Sequence, residues 1–252
     1  WVASPYFSTC GLLLEEIATQ AANGLVALDF ETFVRRYEQR LGGAITVTVQ
    51  ELNQCRRDRQ KRGGKPLQSI FTQDCIDRAR DIDNGGATYN WIECSFVGLA
   101  NLADSLRVIQ AEVYTDRRLT LAELKRILDA DFEGHEKVRL RLLAGHPKYG
   151  NGDPTVDGFV RRIVEFVRQE CAKHRMEPDG SPYVPGAFCW IMHEALGRQC
   201  GATPDGRRKG FPFADGCGPA QGRERKGPTA AILSTTSWDP APLIGGAAIN
   251  MK

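Results

Sequence analysis

An excess of charge of one sign is almost missing from this chain. The 33 Lys and Arg residues face 31 Asp and Glu, leaving a formal net charge of +2. No basic excess points to nucleic acid. Long apolar runs are missing too: no stretch approaches the ~20 residues that a bilayer crossing needs, and the first residues lack the basic-then-apolar plan of a signal peptide. No membrane association is expected, and the chain reads as cytoplasmic. C-x-x-C pairs are absent although eight cysteines are present, which excludes zinc ribbons, ferredoxin-type clusters and thioredoxin-like motifs. No N-x-[ST] sequon occurs. Cys10, Cys55, Cys75, Cys94, Cys171, Cys189, Cys200 and Cys217 read as free, mostly buried thiols of a reducing compartment. Histidine is scarce. His135, His146, His174 and His193 show no mutual spacing that builds a metal site, and each reads as a surface or hydrogen-bonded residue.

What is present is an ordinary globular composition, 42% hydrophobic and 25% charged over 252 residues, enough for one large domain or two small ones. The first 180 residues read mainly as helices. Phe30, Phe33, Val34, Tyr37 and Leu41 recur at helical spacing behind Asp29 as a cap. Thr120 to Glu123 is a capping box opening a helix with core residues Leu121, Leu124, Ile127 and Leu128. Phe159, Val160, Ile163, Val164 and Val167 form a third stripe opposite Arg161, Arg162 and Arg168, and a further helix is expected over Phe96 to Tyr114. From about Pro178 Gly and Pro become frequent, and short apolar runs at Ala230–Trp238 and Ala247–Lys252 suit buried strands of an α/β structure. The long loops 203–210 and 211–222 between them are expected to line a site. The chain opens at Trp1 and stops inside an apolar run, so it is expected to be one partial domain, 1–252, truncated at both ends.

Several motifs start and break. His193-Glu194 opens like a metalloprotease helix, but Gly197 stands where the second His is required. Gly216-Cys217-Gly218 with Gly222 misses the dinucleotide fingerprint by one position, and the run from Gly222 to Gly227 ends in Pro228-Thr229 where a phosphate-binding loop needs Lys and Ser or Thr. Asp81 to Gly85 begins like a calcium loop without its closing Glu. These are read as turns. The basic stretch from Arg56 to Arg62 reads as a solvated helix face.

Four segments in order resemble the glycyl radical enzyme family, the pyruvate formate-lyase and glycerol dehydratase group. They are Asn84–Asn90 leading to Asn101–Leu106, Pro147–Asp153, Pro204–Gly216, and Gly227–Ala230 followed by Gly245-Gly246 and Asn250–Lys252. The resemblance covers about residues 66–252; before that it is loose, through a helical segment ending at Gly24. It implies a helix-rich part of a ten-stranded α/β barrel, with the active site inside. It also implies a mechanism in which a stored Gly radical generates a Cys thiyl, which abstracts hydrogen from a small substrate before C–C, C–O, C–N or C–S cleavage. None of the eight cysteines has the family's C-x-E setting, and the R-V-x-G-Y motif is absent. Both catalytic loops are therefore expected outside the segment, which binds no cofactor itself and is expected to be inactive alone. The radical in the full chain would be installed by a radical-SAM activating enzyme, and the complete protein would be a homodimer. Gly227-Pro228-Thr229-Ala230 resembles the dehydratase, C–N or C–S lyase and decarboxylase branches more than the formate acetyltransferases.

Read as a strand, Ser234, Thr236 and Trp238 share one face and are candidates for the substrate-cavity wall. Asp205, Arg207 and Asp215 are read as loop-structuring residues, with Gly206 and Gly216 supplying positive φ and Arg207 pairing a carboxylate. Two alternatives stand beside the lyase: a non-catalytic truncated homologue acting as a structural or partner subunit, and a phosphate-binding enzyme that uses the Gly-rich loops.

Overall fold

The computed structural model describes residues 4–23 and 29–250. Strands β1 (Tyr6–Ser8), β2 (Ile92–Val97) and β3 (Tyr183–Gly186) form a parallel sheet in the order β1-β2-β3. Parallel neighbours taken in chain order and joined by helical crossovers make an arc that keeps turning one way, as a barrel wall must; a doubly wound sheet reverses its order. The register sets Tyr6 beside Ser95 and Glu93 beside Val184. Directly after β3, Ala187 makes a parallel bridge to Ala247, and its N–H donates to Gly246 O at 2.8 Å.

The helices are α1 (Thr9–Asn23), α2 (Phe30–Lys61), α3 (Pro66–Ile70), α4 (Leu99–Ile109), α5 (Leu121–Asp129), α6 (Glu136–Ala144), α7 (Pro154–Ala172), α8 (Met192–Gln199) and α9 (Gly227–Thr236). Their starts follow the sequence signals. Asp29 accepts from Thr32 N at 2.6 Å, and the reciprocal Thr120–Glu123 box opens α5. The stripe on α2 is buried as its spacing requires, and Tyr37 donates its hydroxyl to Thr9 O at 3.2 Å, tying α2 to the start of α1. Val160, Ile163, Val164 and Val167 of α7 are buried where that helix packs on α4 and β3, each such side chain contributing about 1.5–3 kcal/mol. Arg162 is not free on the solvent side: it bonds Glu31 and Glu38 of α2.

Three expectations are corrected. The run Ala230–Trp238 is not a strand but α9 and the turn after it. Pro228 at its first turn presets helical φ, and the Thr235, Thr236 and Ser237 hydroxyls satisfy themselves on carbonyls three and four residues back. The helix expected over Phe96 to Tyr114 gives its start to β2; Gly98 at φ 86° breaks the chain before α4, which continues as a π-turn over Gln110–Thr115. The strand expected at the C-terminal end is represented by the single bridge at Ala247, while the expected Gly24 helix end and Met251-Lys252 lie outside the described residues.

The basic stretch is corrected as well. Arg56, only 2% exposed, donates to Asp83 Oδ1 at 3.2 Å, Asp83 O at 2.6 Å, Asp179 Oδ1 at 2.9 Å and Glu177 O at 2.9 Å. Arg59 reaches Asp83 Oδ2 at 2.7 Å and Arg57 pairs with Glu177. The face read as solvated is thus partly a buried ionic clamp joining α2 to the 81–85 turn and to the segment before β3.

Candidate functional site

The two faces of the sheet differ in chemistry. One carries Phe7, Ile92, Cys94, Phe96, Tyr183 and Pro185, all buried, with Phe7 and Phe96 stacked at 5.1 Å. Alternation puts Tyr6, Ser8, Glu93, Ser95, Val97, Val184 and Gly186 on the other. This face carries hydroxyls and a carboxyl, where packing alone would favour Val or Ile.

Glu93 is the centre of this face. A Cβ built on Gly186 would stand 2.1 Å from Glu93 Oε1, and one on Gly245 would stand 2.2 Å from its Cγ, so two glycines leave the space in which this side chain lies. Ser95 Oγ is 2.5 Å from Glu93 Oε1 and 3.1 Å from Phe188 O. One hydroxyl has one proton, so both contacts are satisfied when Glu93 is neutral and donates to Ser95, which donates on to Phe188 O. Burial pushes the Glu93 carboxyl above its ordinary value, in the direction this assignment needs, against the opposing effect of the Ser95 bond. Tyr6 is raised by burial and then by the charges of Glu93 and Cys189, which places these three groups within electrostatic reach of one another.

Beside this group lies a second cluster. Cys189 Sγ donates to Asp215 Oδ1 at 3.0 Å, and His193 Nδ1 is 3.9 Å from the sulfur and 3.7 Å from the same carboxylate oxygen. Burial, then the Asp215 bond, pushes the thiol up to about 11. Neither Glu93 nor Cys189 was singled out from the sequence. The available signal was faint: the alternation of Glu93, Ser95 and Val97 against Ile92, Cys94 and Phe96, and the four-residue spacing of Cys189 and His193.

The residues that the sequence did single out lie elsewhere. Ser234 Oγ accepts from Gly152 N at 2.8 Å, and buried Trp238 donates to Tyr149 OH at 3.1 Å, while Thr236 is exposed and bonded to Ile232 O. A helix does not group them by alternation, and the structure does not bring them to the polar face of the sheet. Asp205 is fully buried, accepting from Asn101 Nδ2 at 2.8 Å and Thr203 Oγ1 at 2.5 Å. Gly206 and Gly216 have φ 91° and 59°. Arg207 does not pair a carboxylate: it donates to the carbonyls of Gly197, Gly201 and Phe211, among others, and stacks on Phe213 at 4.5 Å. Residues of the loops 203–210 and 211–222 border a cavity of about 390 Å³ together with Arg139, Arg223 and Arg225. The guanidinium groups of Arg139, Arg207, Arg208 and Arg223 are committed to protein carbonyls and carboxylates. His146 Nε2 bonds Glu112 at 2.9 Å, and the eight cysteines are free, only Cys55 being exposed.

The fold is shared with known proteins. Residues 16–197 match the pyruvate formate lyase-like family. The chain is 38% identical over 193 residues to the probable dehydratase YbiW of Escherichia coli, covering 74% of this chain and 24% of that protein. It is 32% identical over 187 residues to trans-4-hydroxy-L-proline dehydratase of Clostridioides difficile, covering 74% and 23%. Among solved structures, the B12-independent glycerol dehydratase of Clostridium butyricum superposes with a TM-score of 0.89 at 27% identity, over 98% of this chain and 32% of that one. The chain thus spans about a quarter of the length of the curated relatives it matches, and its sheet is an arc of their α/β barrel. No helix among the described residues is long and apolar enough to cross a membrane. By its matched residues and its superposition on solved relatives, the chain belongs to the pyruvate formate lyase-like family of glycyl radical enzymes.

Proposed function

We propose that this chain forms part of the cavity wall of a glycyl radical lyase of the dehydratase type acting on a small hydroxylated substrate. The observation that carries the reading is Glu93 in its glycine cradle beside Ser95 on the polar face of the sheet, its carboxyl pushed up by burial. The similarity to proteins described as dehydratases supports it. The chain lacks the R-V-x-G-Y and C-x-E motifs, so none of its own residues fits the stored radical or the thiyl. In the full chain the radical supplies hydrogen abstraction from the substrate, after installation by a radical-SAM activating enzyme; a homodimer and a cytoplasmic location belong to the same proposal.

The residues present do the rest. Glu93 holds a proton at Oε and can pass it to a departing hydroxyl, or orient that hydroxyl by donating to it. Ser95 fixes the carboxyl, and Tyr6 offers a second donor from the neighbouring strand. Walls such as Phe188 keep bulk water from the reacting centre.

The test is Glu93→Gln in the activated full chain, assayed with glycerol, 1,2-propanediol and trans-4-hydroxy-L-proline. Turnover of whichever substrate the parent accepts should fall about 100-fold or more, with the glycyl radical signal retained. The parent rate should fall as pH rises through the Glu93 pKa, because the acid form is the active one, and the variant should lose that limb. Undiminished turnover in the variant would refute the role of Glu93; absence of any dehydration by the parent would refute the dehydratase reading itself.

A further inference from the structure

Cys189, His193 and Asp215 arrive from three places: the turn after β3, the first turn of α8, and the turn that follows Phe213. Their ligand atoms converge. The separations are 3.0 Å for sulfur to carboxylate, 3.9 Å for sulfur to imidazole and 3.7 Å for imidazole to carboxylate. A tetrahedral ion bound at ordinary zinc distances spaces such atoms about 3.3–3.6 Å apart, so each observed separation lies within about 0.6 Å of that geometry. Small side-chain rotations close the difference. The donor set also selects the ion: a thiolate with an imidazole and one carboxylate suits zinc and its neighbours, whereas calcium and magnesium take oxygen ligands.

The surroundings orient each ligand. Gly216 N–H points at Cys189 Sγ from 3.4 Å, a bond that supports a metal-bound thiolate. The Asn250 amide donates to Asp215 Oδ2, leaving Oδ1 directed at the other two ligands. His193 Nε2 has no hydrogen-bond partner among the described residues, so the ring proton can sit there while Nδ1 binds. Without an ion, Nδ1 lies 3.1 Å from Trp190 O and has that contact instead. Trp190 itself has φ 49°, a left-handed conformation that a bulky aromatic residue adopts only under local constraint. That turn is what sets the Cys189 and His193 side chains next to each other at the head of α8.

Nothing proposed for Glu93 uses these three side chains as a group. We propose that Cys189, His193 and Asp215 form a three-ligand site for a divalent ion of the zinc class, with a fourth position open to water. On binding, a sulfur–metal bond forms and the thiol proton passes to solvent, with no change of oxidation state. The ion would fasten the turn after β3, α8 and the Asp215 turn together along the rim of the polar sheet face.

The test uses the full chain, unactivated, stripped with a chelator and titrated with Co²⁺. The expected result is one Co²⁺ per chain with a thiolate-to-cobalt absorption band, displaced by Zn²⁺, lost in Cys189→Ala and retained in Cys55→Ala. His193→Gln, at a half-buried site that should tolerate it, should weaken binding at least ~10-fold, which keeps the test valid if Cys189→Ala does not fold. A parent chain without a thiolate band, a band that survives Cys189→Ala, or affinity unchanged in His193→Gln would each overturn the site.

Discussion

Arg56 offers the sharpest test of how the outer shell is held. Its guanidinium makes four hydrogen bonds, two of them to the carboxylates of Asp83 and Asp179, whose side chains are 4% and 3% exposed. Removing the cation from a buried pair costs about 3–5 kcal/mol, because the remaining charge stays buried. Here Asp83 keeps Arg59, and Asp179 keeps Asn90 and Ser181, so the lower end, about 3 kcal/mol, is the expectation for Arg56→Met. Arg56→Lys keeps the charge but cannot span both carboxylates and the two carbonyls; about 1–2 kcal/mol is expected. Hydrogen exchange followed by mass spectrometry on the full chain reads this locally. Amides in peptides over 79–92 and 175–184 should exchange ~100-fold faster in Arg56→Met, at 1.4 kcal/mol per decade. Acceleration below about threefold would mean that the cluster behaves as an exposed ion pair, worth under about 1 kcal/mol, and the clamp would be refuted.

Burial of Asp104, whose Oδ2 has no partner, pushes its carboxyl up to about 7 despite nearby Lys148. Its folded pKa lies above the unfolded value of about 3.9, so its contribution is full in acid and is lost as pH rises toward 7; Asp104→Asn should remove that loss, and a pH 5 to pH 8 change in urea midpoint equal to the parent's would contradict this. Trp238→Ala deletes a buried ring and its bond to Tyr149, costing about 3–5 kcal/mol; a simultaneous change in substrate preference would support the cavity role expected for Ser234, Thr236 and Trp238, and unchanged preference would refute it. Arg207→Lys breaks several carbonyl bonds and the stack on Phe213, so about 2–3 kcal/mol of stability should be lost; a melting temperature equal to the parent's would show that the loop does not depend on it.

The helical shell was legible because its signals are local. Asp29, Thr120 and the stripes of α2, α5 and α7 act within one or two turns. The strands were not legible for the opposite reason. β1 is three residues long and β3 contains Pro185 and Gly186, so neither offers a periodic window, and the short alternation of β2 runs into α4 across a single glycine. Each exists through pairing with a neighbour about ninety residues away in sequence, which no local pattern records. Ala230–Trp238 misled in the converse way: an apolar run of that length does not distinguish strand from helix, and Pro228 was the deciding residue. The barrel itself came from ordered motifs, and the Asp205–Arg207 turn behaved as its Asp-Gly pair required. The polar sheet face stayed hidden because Glu93 and Tyr6 meet only once the register is set.

The division between the two sheet faces explains why the chemistry gathers where it does. On the helix side, Cys94, Phe96 and Tyr183 are sealed, and the pKa of Cys94 is raised by its contact with Cys171 of α7 and by burial. Nothing polar enters there unless it is bonded, as Tyr183 is to Asn53 at 2.7 Å. The other face tolerates a carboxyl only because Gly186 and Gly245 leave room for it and Ser95 satisfies it. In the turn that follows β3, Phe188, Trp190 and Ile191 are 40%, 61% and 75% exposed, and the Phe188 carbonyl accepts from Ser95. Burial at this position pushes the Glu93 carboxyl above its ordinary value, in the direction of the acid form. The two glycines and the serine therefore serve one condition on this face, room and a hydrogen-bond partner for a partly buried carboxyl.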